Sequence, residues 1–376
     1  MSAKVSKVGI LSQDQINVAA RRPQSRKRKA RIGFIGVGWW ATTNHMPVLL
    51  ARKDVELVSA CGLDPALNRK LQRDFGFQHT TANYHELLKQ DLDGVIVASP
   101  HRFHGEHTLA ALKAGCHVMV EKPMATSATE ARAMVALAKK KRLHLMVPYG
   151  WHYRPIGIKA HELMMKNPVG EIEYVLCHMA SPVKNLMSGK SFDFMAGSYV
   201  GAKLSTWSDP RVSHGGYGQG QLSHALGLML WLTGLRAKTV YANMNNTKYS
   251  KVDMYDALSV RFDNGVVGSI SGAATLPMGT PGVFQLDVRI FGSKGVLIVD
   301  IARDHVSLHT HKGRHETVPL KPGDGAYQCD TPPHQFVELI LGLTKVNPSP
   351  GEVGMRATEI LHTAYRSVKS GRVEKV

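Results

Sequence analysis

The chain has 376 residues, 43% of them apolar, and a formal net charge of +18. That length fits two domains better than one, and no apolar run is long enough to span a bilayer. Four cysteines (61, 116, 177 and 329) show no Cys-x-x-Cys spacing, which argues against structural zinc or a disulfide framework and for a reducing, cytoplasmic setting. The charge would suit a nucleic-acid partner, but much of it is local. Residues 1–31 hold nine Lys/Arg against Asp14 alone, which puts +8 there and leaves +10 for the other 345 residues. Residues 1–30 therefore read as a basic, disordered leader, and neither a nucleic acid nor a membrane is expected as partner. Arg21-Arg22 could open an export signal, but the apolar stretch behind it is the first strand, and cleavage there would destroy the first domain.

From residue 31 to about 150, strand and helix patterns alternate. Strands are expected at Ile32–Val37, Glu56–Cys61, Gly94–Ala98, His117–Val120 and His144–Val147, with helices at Pro65–Phe75, Gly105–Ala114 and Ala128–Lys140. Such alternation implies right-handed crossovers and a parallel, doubly wound Rossmann sheet in an α/β chain. Gly115 reads as a helix stop, and Ser127 with Glu130 as a capping box.

Residues 151–376 read as an α+β domain for substrate binding and oligomerisation. Helices Ile156–Lys166 and Gln221–Thr233 precede strands at Thr239–Met244, Ala257–Phe262, Val266–Ser271, Phe284–Phe291, Val296–Asp300 and Val306–His311. Turns at Asp263-Asn264-Gly265 and Gly292-Ser293-Lys294-Gly295 make these a large, mostly antiparallel sheet with helices on one face. The other face needs cover, so a homo-oligomer, a dimer or tetramer, is expected. Helices Pro333–Leu343 and Glu352–Lys369 close the chain.

Three motifs carry chemistry. After the first strand comes Gly36-Val37-Gly38-Trp39-Trp40-Ala41, a Gly-x-Gly-x-x-Ala turn into a helix. Gly36 permits the turn, Gly38 lets backbone N–H groups approach a pyrophosphate, and Ala41 lets the helix pack close. Trp39 and Trp40 belong to the same cradle. The acid expected to read the adenosine ribose is Asp64, slightly late behind Gly62, and it competes with a role as cap of the helix from Pro65. The cofactor is thus NAD or NADP, with NAD slightly favoured. Next, Ser99, Pro100 and His104 follow a buried strand at the edge where open sheets bind ligands. Finally, Val120-Glu121-Lys122-Pro123 places a lysine at the same edge, with Pro123 fixing a turn that suits a cis bond. There the ammonium can stabilise the alkoxide formed as hydride leaves an alcohol.

With these segments, Tyr153-Arg154 and the closing Ala364-Tyr365-Arg366-Ser367, the chain from Arg31 resembles the Gfo/Idh/MocA family of glucose–fructose oxidoreductases and inositol dehydrogenases. The resemblance implies that Lys122 meets both nicotinamide and substrate hydroxyl, that Arg154 lies near the cofactor, and that His224 is the site histidine of the second domain. Family members commonly carry Asp-x-Gly-x-His on that helix. Here Gly220-Gln221-Leu222-Ser223-His224 has glycine in the aspartate's place, so Gln219, Gln221 or Tyr217 would supply polar contacts instead.

The expected activity is hydride transfer between NAD(P) and a secondary hydroxyl of a sugar, glycoside or cyclitol. In it Lys122 polarises the oxygen and His224 takes the proton. Glu121 joins the cofactor-binding set, and Tyr153, Tyr217 and Gln221 join the substrate-binding set. Trp151, His152, Trp207 and Tyr327 are further candidates to line the pocket. His305, His309, His311 and His315 have no matching carboxylate or cysteine spacing, and no metal is expected. The rival readings are a redox-neutral glycoside-cleaving enzyme that keeps its NAD bound and a non-catalytic dinucleotide-binding regulator.

Overall fold

Ile32, Phe34 and Ile35 are buried because β1 (Ala30–Ile35) lies inside a six-stranded parallel sheet. The computed structural model describes residues 28–191, 198–277 and 284–376, so all but the end of the basic leader lies outside the described residues. β2 (Val55–Cys61), β3 (His79–Thr81), β4 (Gly94–Val97), β5 (His117–Val120) and β6 (Leu145–Met146) complete the sheet in the order β3-β2-β1-β4-β5-β6. Strands covered on both faces read as unbroken apolar runs, which is why β1, β4 and β5 were legible. The order reverses at β1, and the crevice outside the carboxyl ends of β1 and β4 is the switch point where such sheets bind ligands.

Helix signals act where the sequence puts them. Asp64 Oδ1 accepts the Ala66 N–H at 2.8 Å to cap α1 (Pro65–Phe75). Gly115, at φ +92°, follows α2 (His104–Lys113). Ser127 Oγ accepts the Glu130 N–H to cap α3 (Ala128–Lys141).

The second sheet follows α4 (Pro155–Met165). Its strands are β7 (Ile172–Ala180), β8 (Ala237–Asn245), β9 (Tyr255–Phe262), β10 (Val267–Ala273), β11 (Gln285–Gly292), β12 (Gly295–Asp300), β13 (His305–Thr310) and β14 (His315–Thr317), with α5 (Ser223–Thr233) between β7 and β8. After α6 (Thr331–Ile340) and α7 (Gly351–Ser370) comes β15 (Glu374–Lys375). The order is β14-β13-β12-β11-β7-β10-β9-β8-β15, antiparallel apart from the β7–β10 pair. The central strand β7 was not anticipated. Its inward Val175, Cys177 and Met179 alternate with half-buried Ile172, Tyr174 and Leu176, so the period-two signal of a half-exposed strand is blurred. α5 and α7 cover one face, and α5 is buried on every side. α6 returns to the first sheet, where Phe336, Val337 and Leu339 join the core around Ile32 and Phe34.

Several buried histidines are held neutral. His152 and His161 sandwich the Trp231 ring at 4.3 and 4.0 Å between centroids. Burial lowers His152 to about 3 and both His161 and His144 to about 4, from an unfolded value of 6.5. Between those values the unfolded chain binds more protons than the folded one, so stability rises with pH there and is lost as pH falls below 6.5. Thermal melts followed by circular dichroism should therefore show Tm falling steadily from pH 7 to pH 5, before most carboxylates titrate.

Candidate active site

The first sheet presents a cradle at its switch point. The chain leaves β1 at Gly36, φ +95°, where an added Cβ would overlap the Ser99 and Ala98 backbone. Gly38 is exposed, and nothing lies within 4 Å of where its Cβ would be. Backbone N–H groups at the head of the following helix are thus open to an anion. Leu63, 87% exposed at the end of β2 beside Asp64, offers an apolar face to a flat ring. These features fit a dinucleotide. Gly62 is needed for packing, since a Cβ there would overlap Val37 and lie 2.8 Å from Asn68 Oδ1.

The helix after the cradle contains a π turn, Ala41–His45. Residues five apart on an α-helix point about 140° apart; the extra residue of a π turn brings Trp40 and His45 to one side. There they meet Glu121, just past β5. Trp40 Nε1 donates to Glu121 Oε1 at 2.9 Å, His45 Nε2 lies 2.7 Å from the same oxygen, and the Lys122 N–H donates to Oε2 at 3.1 Å. His45 Nδ1 has no partner, and Nε2 is the nitrogen that donates to Glu121. Burial works to raise the Glu121 pKa, but the His45 hydrogen bond and the charges of His45, Lys122 and His104 outweigh it and the net shift is downward. Glu121 is an anion.

Lys122 crosses to the second sheet's elements. Its Nζ donates to the Gly220 carbonyl at 2.9 Å, within a second π turn, Gly218–Leu222, that leads into α5. Burial lowers the Lys122 pKa while the Glu121 charge acts the other way. The Lys122–Pro123 peptide is cis. His224 is 6% exposed, edge-on to Trp151 and Tyr327, and its Nδ1 has no partner. Burial, and then the Lys122 charge, hold its pKa well below 6.5, so the ring is a neutral base.

Other expected residues are placed differently. His104 sits between two backbone carbonyls, with Nδ1 2.7 Å from Pro123 and Nε2 2.6 Å from Ser99, so it packs between two loops and turns neither nitrogen to a ligand. Ser99 Oγ bonds His107 Nδ1 at 2.9 Å, and Pro100 starts the short helix His101–Phe103. Tyr217 has no exposed surface and its hydroxyl donates to the Met179 carbonyl at 3.0 Å, which corrects the expectation of a substrate contact. Gln221 faces Ser181 Oγ at 3.4 Å. Arg154 bonds Gln328 and, at 2.8 Å, the Gly323 carbonyl, tying down the loop that carries Tyr327. Tyr153 packs against the first-sheet core with its hydroxyl toward Ser349. His152 is likewise built into the scaffold, between the Gly227 and Pro348 carbonyls. His309 and His315 face each other through Nδ1 at 2.9 Å, and no group of three metal-binding side chains occurs among the described residues.

Two residues at the centre carried no sequence signal: His45, four positions past the cradle motif, and His101, buried with an unpartnered Nδ1 beside Lys122. Residues of the second half also touch the first at Trp39 and at the end of α1. Trp39 Nε1 donates to Ser198 Oγ at 2.8 Å, the Trp39 ring meets Trp207 at 5.9 Å, and the Tyr199 hydroxyl donates to Asp74 on α1 at 2.8 Å.

Residues 30–149 match the model of an oxidoreductase family with an NAD-binding Rossmann fold, and residues 158–298 match the GFO/IDH/MocA C-terminal domain. Over 125 residues the chain is 39% identical to D-glucoside 3-dehydrogenase of Escherichia coli K12, covering 33% of this chain and 35% of that protein. Over 245 residues it is 29% identical to 1-carboxy-3-chloro-3,4-dihydroxycyclo hexa-1,5-diene dehydrogenase of Comamonas testosteroni, covering 64% of this chain and 57% of the relative. These matches thus span from about a third to just over half the length of the curated relatives. In fold it resembles levoglucosan dehydrogenase in complex with NADH and levoglucosan (TM-score 0.72, 19% identity, 93% of this chain and 100% of the other).

Gly36→Ala should weaken NAD binding by at least about tenfold, since its Cβ displaces the Ser99 backbone across the crevice; isothermal titration of NAD measures this. Glu121→Gln should bind NAD yet lose most turnover, because an amide must present a donor to one of three donors; steady-state kinetics read this.

Proposed function

The chain belongs to the GFO/IDH/MocA oxidoreductase family, and we propose that it oxidises a secondary hydroxyl of a sugar, glycoside or cyclitol with a nicotinamide dinucleotide as oxidant. The observation that carries this reading is the juxtaposition of an ammonium and a neutral imidazole, Lys122 and His224, beside a dinucleotide cradle. An incoming hydroxyl replaces the Gly220 carbonyl as acceptor of a Lys122 N–H. The ammonium stabilises the developing alkoxide, and the His224 imidazole takes the proton. Gly36, Gly38, Trp39 and Trp40 would hold the pyrophosphate, Ser99 and Pro100 the far wall, and Leu63 and Asp64 the adenosine. The bound nicotinamide supplies the hydride acceptor that no side chain can provide.

The relatives' names support the substrate class: a glucoside, a ring diol and levoglucosan are secondary alcohols on rings. Asp64 supports NAD over NADP, because an exposed carboxylate at the end of β2 repels a 2′-phosphate. One observation favours the redox-neutral alternative. Trp39, in the cradle turn, is held by Ser198 and Trp207 of the second half, contacts that would slow cofactor exchange, as a reaction that returns its hydride requires. Release of aglycone without accumulation of NADH would select that route.

Lys122→Ala should abolish turnover, by about a thousandfold or more, while NAD titration shows binding within a fewfold of wild type; retained turnover sinks the assignment. Asp64→Ala should narrow the ratio of kcat/KM with NAD to that with NADP by about tenfold or more. It should also lower stability by about 1 kcal/mol through the lost cap, and an unchanged ratio removes Asp64 from the ribose site.

A further inference from the structure

Tyr365, in the closing Ala364-Tyr365-Arg366-Ser367 segment, has no part in the chemistry above. It is half-buried on α7, and its hydroxyl donates to Asp253 Oδ1 at 2.9 Å. Asp253 lies in the connection between β8 and β9 and receives three more donors. Gly216 N–H reaches Oδ1 at 2.7 Å, Gly218 N–H reaches Oδ2 at 2.8 Å, and Tyr217 N–H reaches its main-chain carbonyl at 2.9 Å. Three consecutive N–H groups at the head of the second π turn therefore end on one residue. The first N–H groups of a helical segment lack internal acceptors and sit at its positive end, so a carboxylate is the acceptor that holds them best. Contact is close on the other side too, since a Cβ on Gly218 would lie 2.6 Å from the Tyr365 hydroxyl oxygen.

Two residues beyond Gly218 is the carbonyl that accepts from Lys122 at 2.9 Å, and four residues further is His224. We propose that Asp253, oriented by Tyr365, is a positioning residue: it fixes the turn Gly216–Leu222 so that Lys122 and His224 meet one substrate hydroxyl. The inference rests on the reading of Lys122 and His224 given above. It also explains how the site functions with glycine at position 220. The helix carries no carboxylate of its own there, and one reaches the same turn from outside it.

Asp256, behind Asp253, is consistent with this. It is 3% exposed and lies against Asp253. Burial, and then the Asp253 charge, push its pKa well up, so it keeps its proton and adds no second charge beneath the turn.

The test uses the full chain with NAD and whichever of glucose, methyl β-glucoside, glucose 6-phosphate, levoglucosan or myo-inositol the wild type oxidises fastest. Asp253→Asn puts an amide donor against an N–H and should lower kcat by about ten- to a hundredfold per NAD-binding site, the scale of an ångström's misplacement. KM and NAD affinity should stay within about twofold. Tyr365→Phe, which removes one of the four donors, should cost about two- to fivefold in kcat, and Asp253→Glu should recover part of the loss. A wild-type kcat for Asp253→Asn overturns the proposal, as does a loss that only tracks the fraction of protein still binding NAD. Lys122→Ala run in parallel separates the two claims. If it remains active, or the wild type oxidises none of the five, the parent reading fails and takes this one with it. If it is inert while Asp253→Asn is unimpaired, only the positioning role fails.

Discussion

A carboxylate with 8% of its surface exposed, as at Glu121, keeps its charge only where donors replace the water it has lost. Trp40, His45 and the Lys122 N–H are those donors. Breaking a buried arrangement of this kind from one side leaves an uncompensated charge, at a cost of about 3–5 kcal/mol. The pairing therefore fixes more than a side chain. Because one donor is the backbone of Lys122, the carboxylate sets the direction in which that lysine leaves β5, and because two are on the cradle helix, it locks the phosphate-binding turn to the same point.

Two π turns complete the arrangement, and each lies where one half of the chain reaches the site. The first turns Trp40 and His45 together toward Glu121; the second offers the Gly220 carbonyl to Lys122 and continues to His224. π turns are costly irregularities that recur at functional sites. Here they have a specific electrostatic consequence. The acceptor for the ammonium is a neutral carbonyl, where an aspartate at 220 would have formed an ion pair. Glu121 is the main countercharge of Lys122, so in the proposed reaction little else opposes its field at a developing alkoxide.

What the sequence disclosed and what it hid follow from range. The cradle, the strand ends and the Asp64, Gly115 and Ser127 signals are local, since each depends on residues a few positions apart, and each was legible. β7 was hidden because both of its faces carry apolar side chains, and His45 because its partner is 76 residues away. Tyr217 was misread for a related reason. An aromatic hydroxyl near a candidate base looks like a substrate contact, but strand β7 brings the Met179 carbonyl to it from across the core. Asp253 could not be found by spacing at all, since it serves backbone N–H groups that carry no residue identity.

The same geometry argues for the path of the proton in the proposed reaction. Glu121 is the obvious base by charge, yet its oxygens are occupied by three donors and its pKa is held down, so it has neither room nor affinity for a proton. His104 has both ring nitrogens against backbone carbonyls. His101 and His224 are both buried, neutral and unpartnered at Nδ1. They differ in what carries them: His101 is in the short helix after Pro100 and bonds the Ser213 backbone, whereas His224 heads α5 just beyond the Lys122 acceptor. A hydroxyl that takes Gly220's place on Lys122 arrives on the His224 side. Burial disfavours the imidazolium that would form, and so does the Lys122 charge. In the proposed reaction the alkoxide left by that proton transfer offsets the second of these only until hydride departs, so proton and hydride are best transferred together.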